Sequence, residues 1–352
     1  MTAVRLGIQL GYSGEGFAAA VDEVAEFESA GAQLVVVPEA YSFDAVSQIG
    51  YLAARCGLEL ASGVMQLYTR TPTLTAMTAA GLDYVSGGRF SLGLGASGPQ
   101  VIEGFHGIPY DAPLARTREV VLICRRVWQR ETLVHEGPKY RIPLPPGEGT
   151  GLGKPLKLIN RPVRPRIPIL LAAMGPRNVA LAAEIAEGWQ ALFLDPRAFP
   201  RVFGDALADG LARRDPGLGP LDISVPVPFA VAAPTPALLD RHRGQLALYL
   251  GGMGARGRNF SNDLVRRYGY PEAAARIQEL FLSGRRAEAA AAVPDELVAA
   301  TSLVGEADEI RRRLDEMAGV GVTTLLVSPL AGTRGERVKD VGELRRLLDE
   351  RR

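Results

Sequence analysis

Short apolar runs alternate with longer segments of helical periodicity along most of the chain. The runs are dominated by Val, Ile, Leu and Ala, which is typical of parallel strands covered on both faces. Eight runs have this character: Val4–Leu10, Gln33–Pro38, Leu58–Met65, Phe90–Gly95, Ile167–Ala173, Gly188–Leu194, Ile223–Val231 and Val322–Leu330. The pattern therefore predicts eight buried strands.

Between the runs, apolar residues recur at the spacing of an amphipathic helix. In the first such segment Val21, Val24 and Phe27 share one face, and Gly31 provides a C-terminal stop. The clearest predicted helices are Phe17–Ala30, Asp44–Cys56, Thr73–Ser86, Leu114–Arg130 and Asn178–Ala186. Alternation of strand and helix indicates βαβ units. Eight such strands favour an α/β fold of the (β/α)8 TIM-barrel type over an open doubly wound sheet.

Two stretches interrupt this rhythm. Glu136–Pro165 is rich in proline and glycine and predicts a long loop, which in a compact domain is commonly functional or mobile. The segment from Ala237 to Pro294 is rich in Ala and Arg and predicts a helical insertion before the last strand, as a lid over the barrel mouth or a subunit interface. No linker separates two halves, so we expect one domain over residues 1–352 with insertions at 136–165 and 237–294.

Charge and composition argue against several functional classes of protein. The 352 residues include 40 Lys and Arg against 39 Asp and Glu, which argues against binding nucleic acid through bulk positive charge. Cys56 and Cys124 are the only cysteines, so a disulfide framework is excluded and a reducing cytoplasm fits. The sequence shows neither a secretion signal nor an apolar run long enough to span a membrane. The three histidines lie far apart, and no metal site is predicted.

Active sites of such barrels form at the carboxyl ends of the strands. This rule selects Tyr12, Glu39, Tyr41 and Gln66 after the first three runs, and His106 in a loop after the fourth. Glu39 is a candidate polar contact to a ligand, and the alternative is a helix N-terminal charge. His106 is a candidate proton donor because imidazole titrates near neutrality, and the alternative is a packed loop histidine.

A glycine-rich segment, GLGASG, follows the fourth run at Gly93–Gly98. It matches a phosphate-binding pattern, in which backbone amides approach the ligand closely. As a Rossmann fingerprint it is weak, because Pro99 follows directly and no clean helix is predicted there. The alternative is that small residues merely clear the barrel mouth.

A second glycine-bearing junction, AAMGPRN, spans Ala172–Asn178 after the fifth run. Gly175 allows a tight turn and Pro176 suits the first position of a helix. The exposed amides at this helix N-terminus form an anion site to which Arg177 could add charge. A junction without any ligand remains the alternative.

Three long segments resemble one known family. They are VVVPEAYSFDAVSQIGYLAA (Val35–Ala54), the stretch Arg70–Glu119 that contains GRFSLGLGASGPQVIEGFHG, and LAAMGPRNVALAAEIAEGW (Leu171–Trp189). They are similar to the bacterial luciferase-like superfamily, and more narrowly to its actinobacterial branch of coenzyme F420-dependent oxidoreductases. Leu246–Phe260 and Pro294–Val298 are similar to the same branch.

The resemblance implies a barrel that holds the deazaflavin F420 at its mouth, where hydride passes from ring C5 to an activated C=C, C=O or C=N bond of a small organic substrate. It implies a non-proline cis peptide beneath the ring, at Gly63–Val64, and a phosphate-bearing tail near Gly175. The predicted cofactor-binding residues are Gly63, Val64, Gly95, Ala96, Ser97, Gly98, Ala173, Met174, Gly175, Pro176, Arg177 and Trp189. The candidate proton donors are Glu39, Tyr41 and His106.

The chain also departs from the family pattern. Many relatives carry an Asp-His pair after the second strand, where this chain has Glu39 and Ala40, and Gln66 stands where an apolar residue is expected. Two alternatives to the reductase therefore stay open: an FMN-dependent luciferase-like monooxygenase, and a cofactor-binding barrel without catalysis. Family members are commonly dimers or larger, so a homo-oligomer is also expected.

Overall fold

The computed structural model describes residues 4–12 and 16–351. Within these residues the strands are β1 (Arg5–Gln9), β2 (Leu34–Val37), β3 (Glu59–Ser62), β4 (Met65–Gln66), β5 (Phe90–Gly95), β6 (His135–Glu136), β7 (Arg141–Ile142), β8 (Ile169–Ala172), β9 (Gly188–Gln190), β10 (Asp222–Val231), β11 (Leu303–Gly305) and β12 (Thr324–Pro329).

The helices surround these strands. They are α1 (Phe17–Ser29), α2 (Ala45–Ala53), α3 (Pro72–Val85), α4 (Pro99–Gly104), α5 (Pro113–Trp128), α6 (Pro176–Ile185), α7 (Phe199–Ala212), α8 (Pro236–Ala247), α9 (Phe260–Arg267), α10 (Pro271–Leu282), α11 (Arg286–Ala291), α12 (Asp295–Ala300), α13 (Ala307–Gly319) and α14 (Arg334–Asp349). Six of them start with proline at the first helical position where the fixed φ of proline suits a helix, as at Pro72 and Pro176.

Eight parallel strands close into a barrel. Their order is β1-β2-β3-β5-β8-β9-β10-β12, and β12 pairs with β1 to complete the circle. Each of the eight predicted runs covers one of these strands to within one residue, so the predicted TIM barrel is confirmed. The barrel interior holds a separate apolar cluster, formed by Leu34, Val36, Ala61, Leu170 and Leu326.

The five predicted helices are confirmed as α1, α2, α3, α5 and α6, with ends that differ by at most three residues. One local expectation was wrong. A helix does open after GLGASG, since α4 begins at Pro99 with Gly98 as its N-cap. It has only six residues, which is too short to produce a clear period in the sequence.

The proline-rich stretch runs along the outside of the barrel. It starts with the antiparallel pair β6–β7. The buried Glu119 carboxylate of α5 holds this hairpin, because it pairs with the His135 ring at 2.9 Å and accepts the backbone amides of Lys139 and Tyr140. Farther on, the Arg164 guanidinium pairs with Asp83 at the end of α3.

The second interruption is helical, as predicted. It comprises α8 to α11, and a π-helical turn, Leu248–Gly252, follows α8. Gly251 and Gly252 are needed there, because a Cβ on either would lie 2.3–2.4 Å from the ring side chain of Phe281 on α10. The turn and α9 reach over the barrel mouth, which fits the first of the two predicted roles, a lid. Residues 248–267 are called the lid below.

Candidate active site

A cleft of about 250 Å³ opens at the carboxyl ends of the barrel strands. Nine of the twelve predicted cofactor-binding residues line it: Gly63, Val64, Gly95, Ala96, Ser97, Gly98, Ala173, Met174 and Gly175. The lid covers one side of the cleft through Tyr249, Met253, Phe260 and Ser261. None of the described residues of the 136–165 loop is among the lining residues.

The floor of the cleft is a bulge between β3 and β4. Ala61 pairs with Ser91 and Met65 with Leu94, so β3–β4 contains one residue more than β5 over the same length. The Ser62 hydroxyl bridges the gap by donating to the Gly93 carbonyl oxygen at 2.8 Å and accepting from the Gly93 amide at 2.9 Å. The peptide bond Gly63–Val64 within the bulge is cis, at the position the resemblance implied.

Glycines on β5 make room for this bulge. A Cβ on Gly93 would lie 1.8 Å from the Ser62 carbonyl oxygen, and one on Gly95 would lie 2.6 Å from a methyl group of Val64. The turn that follows is tight, with Ser97 at φ 58°. The glycines of GLGASG thus serve strand packing first, while its last four residues face the cleft.

A helix N-terminus faces the cleft from the next strand. β8 leads through Ala173 and Met174 to Gly175, the N-cap of α6, which has no side chain to cap the helix. Within α6 the first amide bonded to a backbone carbonyl is that of Val179, which donates to Gly175. The amides before it are therefore oriented to bind an anion.

Arg267 of α9, in the lid, lies beside this terminus, a position that no sequence pattern predicted. One terminal nitrogen of its guanidinium donates to the Met174 carbonyl oxygen at 2.6 Å, and the other is buried without a partner among the described residues. A half-buried guanidinium with an unused donor nitrogen, next to a helix N-terminus, suits a phosphate. These residues fit the tail of the deazaflavin.

The other three predicted cofactor residues lie outside the lining. Pro176 and Arg177 are exposed on α6. Trp189 is fully buried, and its indole donates to the Ala173 carbonyl oxygen at 2.9 Å, which holds the junction from behind. Arg177 is the second residue of α6, and its exposed side chain does not line the cleft.

The three candidate proton donors surround the cleft without lining it. The Glu39 carboxylate forms a two-fold hydrogen-bonded ion pair with the Arg70 guanidinium at 2.7 and 2.8 Å and also accepts the Ala45 amide at the start of α2. These contacts match the alternative interpretation of Glu39 as a helix N-terminal charge. Tyr41 is half-exposed with its hydroxyl 3.8 Å from the Met253 sulfur. The His106 ring packs edge-on against Phe105.

Tyr12, Tyr249 and Gln66 are among the polar residues that line the cleft, together with Ser97, Tyr110, Thr117, Asn178, Gln190 and Ser261. Tyr12 follows β1 and Tyr249 belongs to the π-helical turn of the lid. Tyr12 is half-exposed, and the partial removal of its ring from water, with the nearby Tyr249 hydroxyl, raises its pKa above the ordinary value, so the phenol stays protonated. Tyr12 and Gln66 could be predicted from the sequence because each lies at the carboxyl end of a strand. Tyr249 could not, because only the folded lid brings it to the same cleft.

Residues 4–12 and 16–351 contain no group of three or more His, Cys, Asp or Glu side chains that could hold a metal ion. In the same part of the chain, no helix has both the length and the apolar character needed to cross a membrane.

Comparison with known proteins assigns the family. Residues 1–324 match the family model of luciferase-like monooxygenases. A Mycobacterium tuberculosis protein named as a coenzyme F420-dependent oxidoreductase, Rv3520c, is 43% identical over 97% of this chain and 99% of its own length.

Two solved structures share the fold. The F420-dependent tetrahydromethanopterin reductase of Methanopyrus kandleri superposes with a TM-score of 0.78 at 21% identity, over 96% of this chain and 97% of the other. The FMN-bound oxygenating component of a diketocamphane monooxygenase from Pseudomonas putida gives a TM-score of 0.65 at 18% identity, over 98% of both chains. By its match to the family model and to a relative along nearly its full length, the chain belongs to the luciferase-like monooxygenase family.

Proposed function

We propose that the protein is an F420-dependent reductase that acts on an activated C=C, C=O or C=N bond of a small organic molecule. The observation that carries the proposal is the convergence of the bulge, the Gly95–Gly98 turn and the uncapped N-terminus of α6 on one cleft. The 43% identical relative named as F420-dependent supports the choice of cofactor. Bound F420 would supply the hydride, and the protein orients the two reactants and excludes water.

The anion-binding part of the cleft suggests the first experiment. Replacing Gly175 with aspartate places a carboxylate at the N-cap of α6. The φ of −78° at this position accepts any residue, and a Cβ would meet only the Asn178 amide nitrogen, at an ordinary contact distance of 3.8 Å. Aspartate is a preferred N-cap, so thermal stability should hold or rise. The same carboxylate accepts hydrogen bonds from the free backbone amides at the N-terminus of α6 and repels a phosphate. We therefore expect F420 to bind roughly ten- to a hundredfold more weakly.

The measurement is a spectroscopic titration of wild type, Gly175→Asp and the matched control Gly175→Ala with F420 and, separately, with FMN. We expect wild type and the alanine variant to bind F420 alike and more tightly than FMN. Tight FMN binding without F420 binding would instead support the monooxygenase. Binding of F420 without turnover of any unsaturated ketone, imine or aldehyde would support a barrel without catalysis.

Tyr12 is the residue we propose to assist the reaction. Its protonated hydroxyl lies in the cleft and can donate a hydrogen bond to a substrate atom on which negative charge develops. Removal of one such donor commonly lowers kcat by about 10²-fold or more. We therefore expect Tyr12→Phe to lower kcat by about 10²-fold while the dissociation constant of F420 stays unchanged.

Tyr41→Phe is the matched control, because the Tyr41 hydroxyl contacts Met253 and does not line the cleft. Steady-state kinetics of the two variants separate the candidates. A large loss of kcat in Tyr41→Phe with none in Tyr12→Phe would assign the role to Tyr41.

Assembly into a homo-oligomer, the single domain and a cytoplasmic location stay predictions from the sequence.

A further inference from the structure

Gln66 places an unsatisfied hydrogen-bond acceptor at the cleft. It belongs to β4, directly after the bulge, and its partner in the ladder is Gly95. The side chain is 3% exposed and lines the cleft. Its amide oxygen has no hydrogen-bond partner among the described residues.

The orientation of this carboxamide is fixed by its contact with Ala40, which follows β2. One end of the amide lies 2.6 Å from the Ala40 carbonyl oxygen. A carbonyl oxygen can only accept, so the group at this distance must be the nitrogen and the oxygen must be the free end. The Ala40 carbonyl is itself held, because Ala40 follows the ion-paired Glu39 with a φ of 44°.

A buried amide oxygen without a donor is a rare feature of folded proteins, because water is lost and nothing replaces it. We propose that Gln66 is a specificity residue whose oxygen accepts a hydrogen bond from the substrate. The inference rests on the proposed function and deepens it. The substrate class is then an unsaturated ketone, aldehyde or imine that also carries an O–H or N–H group close to the reacting bond.

The cofactor is the other source of such a donor, and geometry favours the substrate. Gln66 is on β4, which pairs with β5, and β5 in turn pairs with β8, the strand that leads to the anion-binding N-terminus of α6. The Gln66 carboxamide extends the other way around the barrel, to the Ala40 carbonyl oxygen after β2. Tyr12, at the end of the adjacent β1, lines the same cleft. A substrate between Tyr12 and Gln66 would meet one donor and one acceptor.

The test uses matched pairs of ligands. Each pair is a small unsaturated ketone with a free hydroxyl or amide N–H and its O-methyl or N-methyl counterpart. Ligand-detected NMR measures their dissociation constants on wild type and Gln66→Leu, loaded with oxidised F420. We expect wild type to prefer donor-bearing members of the panel by roughly tenfold and Gln66→Leu to lose the preference.

The F420 dissociation constant of each variant is measured first. If wild type binds no F420, the proposed function fails, and the ligand pairs are compared on the unloaded protein. If Gln66→Leu binds F420 more weakly and wild type does not distinguish the paired ligands, the acceptor serves the cofactor and the inference is wrong. Equal binding of the paired ligands to wild type across the panel also overturns it. Should Gln66→Leu not fold, Gln66→Met provides the same comparison.

Discussion

Replacing Gly93 with alanine is expected to lower the free energy of unfolding by more than about 4 kcal/mol, above the usual cost of overpacking. The new Cβ would lie 1.8 Å from the Ser62 carbonyl oxygen and 2.9 Å from its carbonyl carbon. Both are backbone atoms that no rotamer change can move. The Ser62 hydroxyl also binds the Gly93 amide and carbonyl, so any shift of the two strands breaks these contacts.

Chemical denaturation measures this loss, with Gly204→Ala as the control. Gly204 lies within α7, and a Cβ there would meet nothing within 4 Å. That variant should be neutral or gain about 0.5–1 kcal/mol, because alanine restricts the unfolded chain and favours helix. Similar stability of the two alanine variants would show that the strands do not approach as closely as described.

Gly95→Ala extends the comparison to ligand binding. Its Cβ would meet a methyl group of Val64 at 2.6 Å, which is a side chain and can move. We expect this variant to fold but to bind F420 more weakly, because Val64 lines the cleft. If Gly93→Ala cannot be isolated, this milder variant still tests the crowding of β5 against the bulge.

The strands could be predicted because their chemistry is local. A parallel strand covered on both faces must be apolar throughout. Runs such as Phe90–Gly95 can therefore be identified as strands without knowing which strands pair with them. The cleft segments could be located for a related reason. In a barrel the residues after each strand meet at one end, so position along the chain already gives position in space.

Pair contacts between distant residues could not be predicted in this way. Glu39 is a plausible acid when seen after an apolar run, but Arg70, which binds it, lies 31 residues farther along the chain. The lid is a similar case. Tyr249 and Arg267 belong to a helical insertion whose periodicity gives helices but not the direction in which they pack. Near-neutral total charge likewise conceals the local cation that Arg267 places near α6.

Replacing Arg70 with methionine is expected to lower the free energy of unfolding by about 3–5 kcal/mol, because it leaves a buried carboxylate without its cation. The Glu39 and Arg70 side chains are only 8% and 15% exposed, so water cannot replace the guanidinium. Glu39→Gln should cost less, since its amide oxygen still accepts from Arg70 and Ala45. The double variant should lose less free energy of unfolding than the two single variants lose together. A double-mutant cycle in urea measures this difference.

The same variants decide what Glu39 does for catalysis. If it positions Ala40, and through it the Gln66 amide, Glu39→Gln should retain most of kcat and change mainly the KM for donor-bearing substrates. A proton donor at Glu39 would instead require a loss of kcat of about 10²-fold or more, with F420 affinity and stability nearly intact. Because the glutamine keeps the volume and one acceptor of the glutamate, such a result could not be assigned to collapse of the site.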